Sequence, residues 1–297
     1  MRVIRFFNRY SRAIETEAVY GEAWLRWTYG TIMGRILLWA IVKRSIFSQW
    51  YGWRMRLPGS RGRISEFCKK YRVYLDESVA SIDDFKTFNE FFIRRLTVES
   101  RPVEKSASSI VFPADGRHLG YSNLSEIDGI YVKDQQFTLE SLLLDPSLVE
   151  KYREGSAVIS RLCPVDCHRF HYPVAGKTSA PVRIDGYLYS VNPYVLRKGI
   201  WRLFSNRRIL TRIESDKVGC VIMMEVGATC VGSIRQLRSG EDLVERGEEK
   251  GYFEFGGSAI ITLFEPGRVV LADDLLRNTC EGRELYAHYG DRMGSVR

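Results

Sequence analysis

Two hydrophobic periodicities divide this chain. Up to about residue 100, apolar residues recur at helical spacing. Ile64, Phe67 and Tyr71 fall on one side of a helix predicted over Arg63 to Arg72. Phe88, Phe91, Phe92 and Leu96 predict a second helix over Phe88 to Leu96, with Arg94 and Arg95 near the end where cations suit the helix dipole. Arg101-Pro102 punctuates the boundary. From about residue 107 the pattern changes to short apolar runs broken by turn residues. Ile110-Val111-Phe112 reads as a strand running into the turn Pro113-Ala114-Asp115-Gly116. Ala157 to Leu162 and Val182 to Asp185 read as further strands. Val218 to Val226 reads as a buried strand, with Glu225 the one exception to its apolar character. Ser258 to Phe264 and Arg268 to Ala272 predict a hairpin through Glu265-Pro266-Gly267. The expected fold class is α+β: a basic helical N-terminal region, residues 1–100, followed by a mostly antiparallel β-sheet body, residues 101–297. No internal repeat or low-complexity tract interrupts it.

Charge changes the picture for the N-terminal region. The 297 residues carry a formal net charge of +8, and 45% are hydrophobic, enough for a real core. Residues 1–72 hold 15 Lys/Arg against 4 Asp/Glu, so the remainder is slightly acidic. The same region holds Trp24, Trp27, Trp39, Trp50 and Trp53, five of the six tryptophans. Cations mixed with tryptophan suit the anionic headgroup layer of a bilayer. Nucleic acid is not expected as a partner, because no nucleic-acid module accompanies the charge. A helical subdomain with core tryptophans is the competing reading. The apolar run Ile36 to Val42, flanked by Arg35 and Lys43-Arg44, is far short of the roughly 20 residues a spanning helix needs. It also lacks the cleavage site of a signal peptide. The expectation is a peripheral protein on the cytoplasmic side of the cell membrane.

Six cysteines are scattered without a secretory signal, which favours free thiols. Cys163 and Cys167 beside His168 and His171 resemble a metal cluster, but no second Cys/His pair follows at suitable spacing, so no metal is expected.

Candidate chemistry concentrates in three segments. His168 and His171 are two of only four histidines and suit proton transfer near neutrality. In an extended segment they would point to opposite sides; in a turn both could reach one cavity. The bland alternative is that each bonds a backbone carbonyl. Asp115 supplies a carboxylate. Gly232-Ser233 places a hydroxyl directly after an unshielded glycine carbonyl, which that hydroxyl can attack once a base activates it. Gly-Ser pairs are also common in turns.

Pro113-Ala114-Asp115-Gly116, His168-Arg169-Phe170-His171-Tyr172-Pro173 and Val226 to Ile234 stand in the order and spacing of a known family. Thr87 to Phe92, Tyr189 to Pro193 and Phe253 to Ser258 extend the match. Over about Thr87 to Phe264 the chain resembles the phosphatidylserine decarboxylases, which are pyruvoyl-dependent and make phosphatidylethanolamine. The resemblance implies a self-processing triad of Asp115, His171 and Ser233. Asp115 would orient His171, and His171 would take the Ser233 hydroxyl proton. Cleavage between Gly232 and Ser233 would leave a β chain, 1–232, and an α chain, 233–297, with a pyruvoyl group derived from Ser233 as the covalent cofactor. A Schiff base between that group and the serine amine of phosphatidylserine would carry the decarboxylation. His168 would protonate the resulting carbanion. The two chains would remain a heterodimer, and further dimerisation of the pair is compatible with the reading. Met223, Met224 and Val226 would pack the site.

The chain departs from the family in places. Cys167 stands where an aromatic residue usually precedes the first histidine, and Tyr172 where a small residue often follows the second. The family's Asn-Glu-Arg appears as Asn206-Arg207-Arg208, where Arg207 and Arg208 could bind a lipid phosphate or simply be solvated charge. Two alternatives remain at this point. A Ser/His/Asp lipid hydrolase often shows a Gly-x-Ser-x-Gly elbow, which the residues around Ser233 do not form. A non-enzymatic membrane lipid-binding protein would use the basic region alone.

Overall fold

The apolar run around Val221 becomes the spine of the molecule. The computed structural model describes residues 4–18, 23, 27–28, 30–37, 45–124, 139–192, 203, 205–228, 233–256 and 258–297. Within it, Val221, Ile222, Met223, Met224 and Val226 lose all solvent exposure. An unbroken apolar strand requires such cover on both faces.

In chain order, the first part comprises β1 (Arg5–Asn8), β2 (Ala13–Thr16), α1 (Ile32–Leu37), α2 (Ser45–Met55), α3 (Arg63–Tyr71) and α4 (Phe88–Phe92). Next come β3 (Ser109–Val111), β4 (Gly116–Tyr121), α5 (Leu139–Leu143), α6 (Pro146–Tyr152), β5 (Ser156–Leu162), β6 (Arg169–His171), β7 (Gly176–Thr178) and β8 (Val182–Ile184). The last part holds β9 (Arg208–Ser215), β10 (Gly219–Gly227), β11 (Ile234–Gln236), β12 (Leu243–Val244), β13 (Glu249–Phe253), β14 (Ser258–Phe264), β15 (Val269–Leu271), α7 (Asp273–Cys280), β16 (Glu284–Ala287) and β17 (Arg292–Val296). The class is α+β, with few helices against a sheet-rich body.

Most strands join one large sheet ordered β12-β7-β9-β10-β14-β5-β4-β16-β1-β2, with β8 also on β9. Two three-stranded sheets, β11-β13-β6 and β15-β17-β3, complete the body. Pairing between these strands is antiparallel except for β1 on β16.

Three expectations need correction. The N-terminal region does not begin helical: β1 and β2 form a hairpin on the edge of the large sheet. Phe6 is buried there, Arg9 pairs with Asp274 at 2.7 Å, and Glu17 pairs with Arg161 at 2.6 Å. These distant partners outweigh local propensity. The helix expected over Phe88 to Leu96 stops at Phe92. Arg94 instead donates to the Val165 carbonyl at 2.9 Å, and Leu96 bridges to Ser78. Ser258 to Phe264 and Val269 to Leu271 are not a hairpin. β14 inserts between β10 and β5 while β15 pairs with β17, and Gly267, at φ +70°, redirects the chain between the two sheets.

The helical region docks through aromatic rings. In α3, Ile64 and Phe67 face inward, and Arg72 closes the helix in the left-handed conformation. In α4, the Thr87 hydroxyl accepts from the Glu90 amide at 3.1 Å, the side-chain cap of a helix start. Met55, Ile64, Phe67, Phe85, Phe88, Phe91 and Phe92 then pack with Phe255 of the sheet body.

Candidate active site

The turn after β3 sets the first group. Gly116 begins β4 so close to β5 that a Cβ there would sit 2.6 Å from the Arg161 carbonyl oxygen, and only glycine fits. That approach carries Asp115 into the interior, at 3% exposure. Both its oxygens accept from Arg101 Nε, at 3.1 and 2.9 Å, and Oδ1 also accepts from the Tyr289 amide at 2.9 Å. Burial alone would push the Asp115 carboxyl up, but the Arg101 guanidinium outweighs it and holds the group below its usual range.

β6 leans on the same turn. The His171 amide donates to the Pro113 carbonyl at 2.7 Å, and its Nδ1 lies 3.4 Å from that same oxygen. The imidazole stacks on the Tyr289 ring with centroids 3.8 Å apart. Burial pushes His171 down to about 4, against a partial upward pull from Glu249, so the ring is neutral at pH 7. Asp115 acts on His171 through space; its oxygens are taken by Arg101 and Tyr289.

His168 is fully buried just before β6. Its Nδ1 lies 3.0 Å from the Asp166 carbonyl, which can only accept, so the proton sits on Nδ1. The Phe92 ring covers one face at 3.7 Å. Nε2 makes no hydrogen bond of good geometry among the described residues, although the Gly256 backbone lies near enough to favour the charged ring. Burial pushes this histidine down to about 3. Asp166 is itself pinned by Arg117 at 2.6 Å.

β13 ties these groups to the serine. The Phe253 amide donates to the His168 carbonyl at 2.9 Å, and the next amide, of Glu254, donates to the Ser233 carbonyl at 3.0 Å. Ser233 therefore sits at the head of β11, two strand spacings (about 9–10 Å) from the histidine strand. Its Oγ donates to Glu254 Oε2. Arg235 Nε and Arg56 Nη1 approach the other carboxylate oxygen, Oε1, at 3.5 and 3.8 Å. Neither histidine is hydrogen-bonded to Ser233. Gly232 lies outside the described residues.

Several sequence-level candidates find other work. Arg208 is buried and donates to the carbonyls of Ser141, Leu142 and Asn206, so it is a structural cation rather than a phosphate ligand. Arg207 pairs with Asp185 at 3.3 Å. Asn206 clamps the Tyr189 backbone from both sides and reaches the Gly227 carbonyl, all at 2.8 Å. Cys163 accepts from Arg161 Nη1 at 2.8 Å and Cys167 donates to the Arg94 carbonyl at 3.2 Å, and both are free thiols. Among the described residues no cluster of three metal-ligating side chains forms. His118 has both ring nitrogens engaged, by Ser160 at 2.9 Å and the Ala287 carbonyl at 3.2 Å, which makes it structural.

Sequence reasoning missed Arg101, Tyr289 and Glu254. Glu254 lay in a segment singled out for the family match, Phe253 to Ser258, and Arg101 was read only as boundary punctuation; nothing local marked Tyr289.

Buried imidazoles beside ion-paired carboxylates are a pattern that recurs at sites of proton transfer, which makes Asp115, His168, His171 and Ser233 the candidate site. Residues 88–289 match the family described as phosphatidylserine decarboxylase. Relatives named phosphatidylserine decarboxylase proenzyme extend the similarity over nearly the whole chain. The one from Fusobacterium nucleatum is 38% identical over 292 residues, 98% of this chain and 97% of its own. That from Chlamydia trachomatis is 38% identical over 293 residues, 99% and 97%. That from Clostridium perfringens is 35% identical over 292 residues, 98% and 99%. This chain belongs to the phosphatidylserine decarboxylase family, a family of enzymes.

Proposed function

We propose that this protein decarboxylates phosphatidylserine to phosphatidylethanolamine with a pyruvoyl group made from its own Ser233. The observation that carries the reading is the seating of Ser233, whose hydroxyl and carbonyl are both hydrogen-bonded to Glu254. The proenzyme naming of the relatives supports a chain that matures by cutting itself.

Self-cleavage requires two proton removals. Loss of the hydroxyl proton lets Ser233 Oγ attack the Gly232 carbonyl and turn the amide into an ester. Loss of the Ser233 Cα proton expels the Gly232 carboxylate and leaves dehydroalanine, which water converts to a keto group and ammonia. His171, backed by Asp115, is the neutral imidazole base the family pattern supplies. The pieces would be 1–232 and 233–297. They would stay together, because β13 lies against β6, and β14 between β10 and β5.

The surroundings of Ser233 fit such a group: a strand start, a carboxylate against the side chain, and His168 immediately before β6 of the same small sheet. The pyruvoyl group supplies an electron sink for loss of a carboxylate next to an amine. His168 Nε2 can accept a proton from the substrate's ammonium and return it to the carbon that has lost CO2. The Phe92 ring and full burial shield His168 from bulk water.

Residues 1–100 would form the membrane-associating part and 101–297 the catalytic part. Trp27, Trp50 and Trp53 are all exposed, as headgroup contacts require and core packing does not. No helix among the described residues is long and apolar enough to cross a membrane.

Denaturing mass spectrometry tests the reading. The purified protein should give two pieces, the smaller without a free amine, and Ser233→Ala should give one. A single unmodified chain that releases CO2 from phosphatidylserine would overturn the pyruvoyl route, and one that instead cleaves esters would favour a hydrolase.

A further inference from the structure

One face of the β11-β13-β6 sheet carries more positive charge than the described residues balance. Arg235 follows Ser233 by two positions, so both side chains leave the same face of β11. Across the sheet the Glu254 amide donates to the Ser233 carbonyl at 3.0 Å. Arg235 pairs in register with Tyr252, and Tyr252 with Arg169 of β6. The two arginines differ in their commitments. Arg169 donates to the Ile93 carbonyl at 2.9 Å and is ion-paired with Glu249. Arg235 has only a 3.5 Å approach to Glu254 Oε1, an oxygen that Arg56 Nη1 shares at 3.8 Å. Glu254 is buried, whereas Arg56 and Arg235 are exposed. One carboxylate thus faces two cations, and most of their N–H donors have no partner among the described residues.

Arg56 comes from the other part of the molecule. It stands directly after α2, its amide donating to the Trp53 carbonyl at 3.0 Å, on the helix whose Trp50 and Trp53 are exposed. We infer that Arg56 and Arg235 form the subsite for the phosphodiester of the lipid substrate, beside the amine-condensing group at 233. This rests on the reading that position 233 carries the pyruvoyl group, and deepens it. In a phosphoserine headgroup the amine and the phosphate are separated by two carbons and an oxygen. A headgroup joined to 233 through its nitrogen therefore brings its phosphate within reach of a long side chain two residues along. Guanidinium groups suit that anion, because each planar fork bonds two phosphate oxygens at once. Two cations against Glu254 leave one positive charge, which a phosphodiester monoanion neutralises. The substrate's carboxylate is the poorer partner: a counter-charge on it would stabilise, in the ground state, the group that must leave as CO2. Arg207 and Arg208 face Asp185 and backbone carbonyls instead.

The test measures CO2 release by the full-length protein from dihexanoyl phosphatidylserine, kept below its micelle concentration so that no lipid surface takes part. Rates are divided by the amount of split chain. Arg235→Gln and Arg56→Gln should each raise KM about tenfold, and the double variant more, with kcat changed far less, the mark of binding equal in ground and transition states. Arg235→Lys and Arg56→Lys keep the charge, lose the fork, and should recover part of the loss. Inorganic sulfate should compete with the substrate in the wild type and lose that effect in the double variant. Should a glutamine variant fail to fold or split, the lysine variants decide, through a raised KM and weaker sulfate competition. A double variant with the wild-type KM overturns the inference. So does a fall in kcat at constant KM. So does a loss seen on vesicles containing phosphatidylglycerol but absent with the monomeric substrate, which would make the pair a general contact with anionic lipid. Any of these results from a protein that still splits at Ser233 overturns this inference alone. A wild-type chain that never splits yet releases CO2 overturns the pyruvoyl reading with it.

Discussion

Tyr289 lies face to face with His171, the two rings 3.8 Å apart and 7° from parallel, while its amide donates to Asp115 at 2.9 Å. One residue from the C-terminal segment thus sets both the orientation of the imidazole and one bond to the carboxylate. The other bonds to that carboxylate come from Arg101, itself paired with Glu77 at 2.8 Å. This is the usual logic of a site whose reacting groups are held by neighbours that do no chemistry themselves.

Tyr289→Ala should therefore open the His171 ring to water while keeping the amide bond to Asp115. The histidine should titrate closer to its ordinary range, and cleavage should slow about tenfold, roughly 1.4 kcal/mol of barrier. Tyr289→Phe keeps the stacked ring and should process normally. Time courses of the two variants, with the His171 titration followed by NMR in the uncut Ser233→Ala background, check this.

Acid should destabilise the fold in a defined window. Burial holds His118 and His168 down near 3 and His171 near 4 in the folded chain, against about 6.5 when unfolded. Between those values the unfolded chain binds more protons, so stability rises with pH. The contribution is fully present above 6.5 and is lost as pH falls through the folded values, on the order of 3 kcal/mol for His171 alone. Asp166 and Glu225, both pushed up by burial, work in the opposite direction. Melting of the Ser233→Ala chain at successive pH values should show a falling Tm below 6.5, and His171→Asn should make the slope shallower. A flat profile for the parent chain would count against neutral buried rings.

The Glu225–Lys250 pair should be costly to break. Their side chains meet at 3.0 Å with essentially no exposure, and the Gln236 amide bonds both, at 2.7 Å each. Glu225 precedes the proposed cut, whereas Lys250 and Gln236 follow it, so the pair would span the two pieces. Lys250→Met leaves a buried carboxylate without its partner and should cost about 3–5 kcal/mol, and Lys250→Met with Glu225→Leu should recover most of it. Urea melts in the Ser233→Ala background measure both.

Trp50 and Trp53 stand three apart on α2, 49% and 55% exposed. Replacing both tryptophans with alanine should weaken binding to vesicles containing anionic lipid by at least about tenfold, ~1.4 kcal/mol. Sedimentation with such vesicles reads the change. Unaltered binding would assign membrane contact to another surface.

Much of this protein is legible locally. The buried strand around Val221, the helix carrying Ile64 and Phe67, and the turn that presents Asp115 all follow from periodicity and turn chemistry over ten residues or fewer. So does the α+β class, because strands and helices advertise themselves by different spacing. The family resemblance added the order of the Asp115, His171 and Ser233 segments. What tertiary structure decided is which of these meet. Glu254 reaches Ser233 only because β11 and β13 pair, Arg101 and Tyr289 reach Asp115 across 14 and 174 residues, and the 258–272 segment splits between two sheets rather than closing a hairpin. A strand's side-chain alternation tells which face is buried but not which strand lies beside it. The partners of a buried charge are chosen by that pairing, since a carboxylate or imidazole taken out of water is stable only where the assembled fold brings it a counter-charge or a hydrogen bond.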